Sequence, residues 1–343
     1  MDIYFEGHLT EIKEVPANKQ YWFIRTYSGE AYNSYLDGGY VGLGYNDVPY
    51  EYIKNATALG GSASPAALYN YVQNNPEYKG QRIGRIVNQL ISFNRDVSIG
   101  DCVVMPSRNS DILAIGTVES DVYLVKEPGT ILLRGKYLDL PEKRRKVRWE
   151  KSILKDDPAN EIKSISSSHY GITNANFYSD AIEGILSSLF LKNRHACLVI
   201  QIDQHEEINA FELNRFLTQL TYFYQQFCVE SGVLANEDLT IKIKLQSRGK
   251  MLLKASVIAG VIGLAGMVTL SNNSKVKVDI EKKTVEGSSD GLLKSISDFL
   301  DRSEERRERR KIFDDSIANL KAHRDMTSKL IQDTSNQPKE DGK

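Results

Sequence analysis

The chain has 343 residues, 41% apolar and 26% charged, with 44 Lys and Arg against 45 Asp and Glu and a formal net charge of −1. These are the proportions of an ordinary folded protein, and the near-zero charge excludes nucleic-acid binding driven by overall charge, so any such affinity has to come from a local patch. The length exceeds what one hydrophobic core usually accommodates, so two or three domains are expected.

Cys102, Cys197 and Cys228 are widely spaced and form neither a metal-ligand pair nor a disulfide framework, which fits a reducing, cytoplasmic compartment. The opening MDIYFEGHLTEIKEV carries early acids and no apolar h-region, unlike a signal peptide. Most of the 18 tyrosines precede residue 180, and a half-polar ring suits both strands and binding pockets.

In chain order, YWFIRTY (21–27) reads as a strand, and GGYVGLGY (38–45) as a second one entered through glycines that permit a tight turn. PAALYNYV and IGRIVNQLISF, within 64–95, place apolar residues at helical spacing. SIGDCVVMPS (98–107) is a turn feeding a strand, and DILAIGTVESDVYLV (111–125) a further strand and its continuation. RRKVRWEKSI (144–153) alternates, with Val147 and Trp149 on one side and Arg148 on the other. Residues 153–180 are rich in Pro, Ser and Asn and read as a linker. A second unit follows over 181–332. It has a helix (AIEGILSSLFL), a strand (HACLVIQID, 195–203), a long amphipathic helix (208–230) and an alternating strand (LTIKIKLQS, 239–247). Then come the apolar run MLLKASVIAGVIGLAGMVTL (251–270), a short strand (275–280), a Ser-capped helix (288–302) and a charged final helix. The tail 333–343 reads as disordered, and no internal repeat is evident. The expected class is α+β: a curved, barrel-like sheet with helices over 1–152, then an α/β unit built around a very apolar Gly/Ala-rich helix.

An ordered set of motifs carries a resemblance. Trp22–Arg25 gives W-x-I-R, and Gly42–Tyr45 a G-x-G-aromatic strand. Phe93 precedes Ile99–Pro106 (I-G-D-C-V-V-M-P, set beside the pattern I-x-x-G-D-x-V-v-x-P, with Gly100-Asp101 at its turn), and Ile115–Val118 leads to Tyr123 and then to Arg144–Trp149. In this order, over about residues 20–152, the sequence resembles the PUA/EVE-like domain found at the N-terminus of Mrr-type modification-dependent restriction proteins. The resemblance implies a pocket for a base or nucleotide, often a modified base turned out of a duplex, at a cost in stacking that an aromatic-lined site can offset. It points to Trp22, Arg25, Tyr45, Arg108, Tyr123 and Trp149 as base-binding residues. It also points to Lys143, Arg144, Arg145 and Arg148 as a phosphate grip. The family usually has Trp where Tyr45 stands. Two structural alternatives stay open: the tryptophans would equally fill a barrel, and the basic run would equally serve as a solvated edge strand. The second unit is similar, in outline only, to C-terminal regions that accompany such sensors in bacterial defence proteins.

Catalytic constellations are weak. A nuclease centre would need carboxylates to hold Mg²⁺ and a Lys to steady water, and Asp279, Glu281 and Lys283 offer the pattern at the end of the strand at 275–280. No G-x-S-x-G occurs, GGSAS (60–64) lacks the G-K-[ST] of a phosphate loop, and no metal cluster is evident. No cofactor is expected apart from Mg²⁺ under the nuclease reading.

The run 251–270 admits two placements. Its length at 1.5 Å per residue is about 30 Å, just enough for one membrane span, with Lys254 snorkelling. Ala255, Ala259, Gly260, Gly263 and Gly266 form a small-residue stripe that in lipid would drive self-association, whereas in water such a helix needs tight packing to offset its glycines. Three functions follow as expectations. The first is a defence-type sensor that binds a modified base or nucleotide, homo-oligomerises and acts at the inner membrane. The second is a modification-dependent DNA endonuclease; the third is a soluble regulator that binds a nucleotide second messenger.

Overall fold

The computed structural model describes residues 2–5, 8–58, 64–154, 162–168, 170–204, 207–233, 239–246, 248–273, 289–324 and 330, and among these the side chains outside 2–11, 244–248, 273 and 289–292. The chain is mixed α and β and divides into two compact units. One comprises Met1–Ala17 and Glu183–Thr327, the other Asn18–Ile182 and Ser328–Lys343.

Strands β1 (Asp2–Phe5) and β2 (His8–Glu11) pair as a hairpin, and β3 (Lys13–Val15) follows. The Asn18–Ile182 unit then begins with β4 (Tyr21–Ile24), α1 (Tyr32–Gly38), β5 (Tyr40–Leu43), α2 (Tyr50–Ala56), α3 (Pro65–Asn74) and α4 (Ile83–Ile91). It continues through β6 (Cys102–Pro106), β7 (Ile112–Val118), β8 (Tyr123–Leu124), the hairpin β9 (Thr130–Leu133) and β10 (Lys136–Asp139), β11 (Lys143–Leu154) and β12 (Ile172–Asn174). The curled, half-barrel sheet has the order β12-β4-β6-β7-β11-β5, with β8 also on β11. Its curl comes from β11. That strand pairs with β5 through Lys143–Lys146 and with β7 from Val147 onward, with a register shift between Trp149 and Lys151. β12 lies inside the stretch whose composition reads as a linker. Buried Ile165 and Ile172 give that stretch a footing, and Ile172–Asn174 pairs antiparallel with β4.

Asp101 explains the Gly-Asp turn of the sequence motif. Its carboxylate is buried and accepts hydrogen bonds from the backbone of Gln20 (3.0 Å) and Ser98 (2.9 Å) and from Trp22 Nε1 (2.9 Å). A buried carboxylate so satisfied pins β4 to β6 and fixes the Trp22 ring.

The other unit has α5 (Ser179–Leu186) at its border, then β13 (Leu189–Lys192), β14 (His195–Ile202), α6 (Ala210–Glu230), β15 (Thr240–Gln246), β16 (Arg248–Ala255), α7 (Ile258–Asn273), α8 (Ser289–Asp301), α9 (Glu304–Leu320) and β17 (Ala322–His323). The sheet order is β15-β16-β14-β13-β3, with β17 on β14 and β3 parallel to β13. Asn209 caps α6 by accepting from the backbone of Phe211 (2.8 Å) and Glu212 (3.3 Å).

The apolar run 251–270 is not one helix. Met251–Ala255 belongs to β16, held between β14 and β15, and Ala255 is a strand residue. What remains, α7, has 16 residues and is about 24 Å long by its rise. No helix among the described residues is long and apolar enough to cross a membrane. The small-residue stripe serves packing within the chain. A Cβ on Gly260 would lie 2.6 Å from the Tyr224 ring, one on Gly263 2.2 Å from Phe227 Cγ, and one on Gly266 2.2 Å from Ile296 Cδ1. Half-buried Ala259 packs on the same core. The glycines therefore let α7 approach α6 and α8 closely, and burial among Phe216, Phe223, Phe227, Phe299 and Phe313 offsets their poor helix propensity.

Candidate functional site: a tyrosine-walled cleft

A cleft of about 690 Å³ opens on the Asn18–Ile182 unit, within the roughly 300–1,000 Å³ usual for small-molecule sites. Its walls come from Arg25, just past β4, and the following turn (Tyr27, Ser28). The end of β5 (Gly42, Leu43) and the following Gly44–Asp47, together with Glu77, Leu138, Asp139 and Gly171, complete them. Two smaller hollows share walls with it. One of about 190 Å³ shares Arg25 and Ser28 and is also lined by Asn109 and Ser110. The other, of about 400 Å³, shares Tyr45 and Gly171 and is lined by Gln81, Arg82, Arg85 and Gln89.

The backbone here is unusual. Tyr27, Ser28 and Tyr45 at the cleft, and Asn109 and Ser110 at the smaller hollow, all have positive φ (51°, 58°, 69°, 53° and 59°). Each such residue costs on the order of 1–3 kcal/mol and persists only where the surroundings over-determine it, a pattern that concentrates at binding sites. The surroundings are visible. Gly29, at φ 99°, packs so closely on the next turn that a Cβ would lie 2.1 Å from Arg108 Cα, and Thr26 Oγ1 donates to the Pro106 carbonyl at 2.5 Å. Gly44 leaves room for the Tyr27 hydroxyl, which a Cβ there would approach to 2.7 Å.

The polar groups are mostly held in place. Arg25 Nε donates to the Ser168 carbonyl at 2.7 Å, and Nη2 to those of Ser166 (2.9 Å) and Ser168. Gln89 is buried; its Nε2 donates to the Tyr45 hydroxyl at 3.4 Å while its Oε1 accepts from Gly171 N–H at 2.5 Å. Tyr45 packs edge-on against Tyr78 with centroids 5.7 Å apart. Asp47 accepts from the Tyr78 hydroxyl and from Asn75 Nδ2 (2.5 Å). Burial raises the Tyr27 hydroxyl well above its ordinary value, helped by Tyr45 and Tyr40; burial also raises Tyr45, against Gln89 and Arg85. Burial lowers Arg25. The cleft thus offers neutral phenols, a positioned guanidinium and carboxylate acceptors around an aromatic wall. That set suits recognition of a planar, polar-edged molecule.

Of the residues the resemblance points to, Arg25 and Tyr45 line the cleft, and Trp22, Arg108, Tyr123 and Trp149 do not. Trp22 is buried on Asp101, and Trp149 donates from Nε1 to the Tyr35 carbonyl at 3.0 Å, so both rings fill the half-barrel. Arg108 is exposed beyond the Gly29 turn, and Tyr123 sits on β8 opposite Arg144. The basic run does not form one surface. Arg145 is buried and donates to the carbonyls of Phe93 (2.9 Å), Asn94 (2.8 Å) and Ser120 (3.0 Å). Lys143 is buried with Nζ 2.9 Å from the Tyr45 carbonyl, and burial lowers its pKa. Arg144 stacks on Tyr40 at 4.1 Å, and Arg148 pairs with Glu119 (3.0 Å) and Glu150 (3.4 Å). Alternation put these side chains on both faces of a strand, and the inward ones became structural. Tyr27 and Asp47 escaped the sequence reading; the Tyr-Ser-Gly turn one residue after W-x-I-R was the available signal. Asp279, Glu281 and Lys283 lie outside the described residues, and no cluster of three metal-ligating side chains occurs among the described ones.

Residues 24–170 match the model of a family described as a domain of unknown function (DUF8426). That span contains every cleft residue named above except Gly171. Neither the curated proteins nor the solved structures include a match to the chain.

Proposed function

We propose that the Asn18–Ile182 unit is a PUA/EVE-like binding domain that takes a nucleobase, modified or free, as a base or nucleotide, and that it is the sensing half of a defence-type protein. The observation that carries this reading is the 690 Å³ cleft with Tyr27, Tyr45 and Arg25 in its wall, set on a strained backbone that the W-x-I-R and G-x-G-aromatic segments build together. A heterocycle would gain stacking from the tyrosines, worth about 1–3 kcal/mol per base on aromatic platforms. Its amino and carbonyl edges would meet Asp47, Asp139 and Arg25, as carboxylates accept from base amino groups and guanidinium donates to base carbonyls.

Calorimetric titration with the four 2′-deoxynucleosides and 5-methyl-2′-deoxycytidine tests it. We expect saturable binding of at least one of them, weakened about tenfold by Tyr45→Ala or Tyr27→Ala. Binding that survives both substitutions would place the ligand elsewhere and remove the basis for the proposal.

A further inference from the structure

We infer that the 400 Å³ hollow beside the cleft, lined by Arg82 and Arg85, is a phosphate subsite, so that the ligand is a phosphate-bearing nucleotide or a strand rather than a free base. The inference rests on the base-binding reading of the neighbouring cleft and assigns the half of the ligand that reading leaves open.

Charge is the deciding feature. The cleft wall contains Asp47, Glu77 and Asp139 against the single cation Arg25, so a phosphate placed there would face three carboxylates. The adjoining hollow is lined by Tyr45, Gln81, Arg82, Arg85, Gln89 and neighbours, with no carboxylate among them. Arg85 lies with its guanidinium 4.5 Å from the Tyr170 ring centroid, which holds the side chain without neutralising it. Neither Arg82 nor Arg85 takes part in an ion pair among the described residues, in contrast to Arg148, Arg215, Arg302 and Arg309. Two unneutralised guanidinium groups in a concave site are the chemistry that recognises phosphate oxygens.

Position supports the same conclusion. Tyr45 and Gly171 form part of both walls, and Gln89 ties them together, donating to the Tyr45 hydroxyl and accepting from Gly171 N–H. A ligand whose ring lies against Tyr45 in the cleft therefore needs only to pass this partition to put its phosphate before Arg82 and Arg85. The basic run 143–148 supplies no such site, because Lys143 and Arg145 are spent on backbone carbonyls.

The test compares each of those five nucleosides with its 5′-monophosphate by calorimetry, then uses an octanucleotide of the tightest base. We expect the monophosphate to bind about tenfold more tightly than its nucleoside. The doubly substituted Arg82→Ala/Arg85→Ala protein should erase that difference, flatten the salt dependence and leave nucleoside affinity unchanged. Arg85→Gln alone keeps the stem against Tyr170 and should lose part of the preference. Emission from Trp22 and Trp149, both in this unit, verifies the fold of each variant, and Arg148→Ala should keep the full preference. An arginine-dependent gain seen with the octanucleotide but not the monophosphate would support the subsite and assign it to phosphodiester. If nucleosides bind but phosphate adds nothing, or its gain persists in the double variant, the subsite is overturned while the cleft stands. If no nucleoside and no nucleotide binds, both fall.

Discussion

In the unit holding α7, each glycine of the small-residue stripe is met by a side chain of the same chain: Gly260 by Tyr224, Gly263 by Phe227, Gly266 by Ile296. In the Asn18–Ile182 unit, Gly44 is met by the Tyr27 hydroxyl, and that tyrosine fronts a 690 Å³ space. Glycine admits an aromatic ring in both places. Around α7 the ring closes a core; at Gly44 it shapes an opening and sits on left-handed backbone to do so. The difference separates residues kept for stability from residues free for recognition, and it is open to direct test. Phe227→Ala should cost about 3–5 kcal/mol, since a fully buried ring is removed from a packed interior. Tyr27→Phe should cost under about 1 kcal/mol and act on ligand affinity instead. Chemical denaturation of the two variants, followed by far-UV circular dichroism, reads both numbers. Equal losses would mean that the cleft wall is core after all.

The basic run draws the same contrast within a single strand. Arg145 faces inward and satisfies three carbonyls, while Arg148, exposed, pairs with two glutamates at the surface. Arg145→Ala leaves the carbonyls of Phe93, Asn94 and Ser120 without that donor and should destabilise the unit by about 3 kcal/mol. Arg148→Ala should change stability by under about 0.5 kcal/mol, as exposed ion pairs do. Both tryptophans lie in this unit, so the midpoint of their emission change reports on it. A large effect of Arg148→Ala would restore the run as one functional surface.

Much of the half-barrel is legible in local pattern. The strands β4, β5, β6 and β11 follow from alternation and turn residues, though the first three are shorter than the runs that mark them, and Gly100-Asp101 marks a turn because its carboxylate has three donors to bind. What escapes is set by distant partners. Met251–Ala255 contains good helix formers and becomes a strand because β14 and β15 flank it, a case of tertiary context overriding propensity. The parallel pairing of Lys13–Val15 with Phe190–Lys192 leaves no local trace at all. Within the cleft, Arg25 and Tyr45 are readable from their motifs. Arg82 and Arg85 are not, because at the start of an amphipathic helix they look like any solvated face.

The tyrosines extend the comparison to pH. Burial raises Tyr35 well above its ordinary value of 10.0, and burial with neighbouring groups raises Tyr27 and Tyr78 as well, all in the Asn18–Ile182 unit. A raised phenol keeps its proton in the folded state while the unfolded chain releases its own above pH 10. The stability these groups contribute is therefore complete below that value and is lost as pH climbs past it. Fully buried Tyr35 alone should remove about 1 kcal/mol by about half a pH unit above its ordinary value. In the other unit, Tyr222 is raised by burial and Glu305 but lies beside Arg309, its ring 4.2 Å from that guanidinium, and the core around α7 is phenylalanine-rich, with Tyr224 its one buried tyrosine among the described residues. Alkaline titration monitored by tryptophan emission should accordingly show the Asn18–Ile182 unit losing stability first, with hydrogen exchange in α6 and α7 still protected. Simultaneous loss of protection in both would show that ionisation of these buried phenols does not govern the alkaline limit. Tyr35→Phe should then leave the midpoint where it was instead of moving it upward.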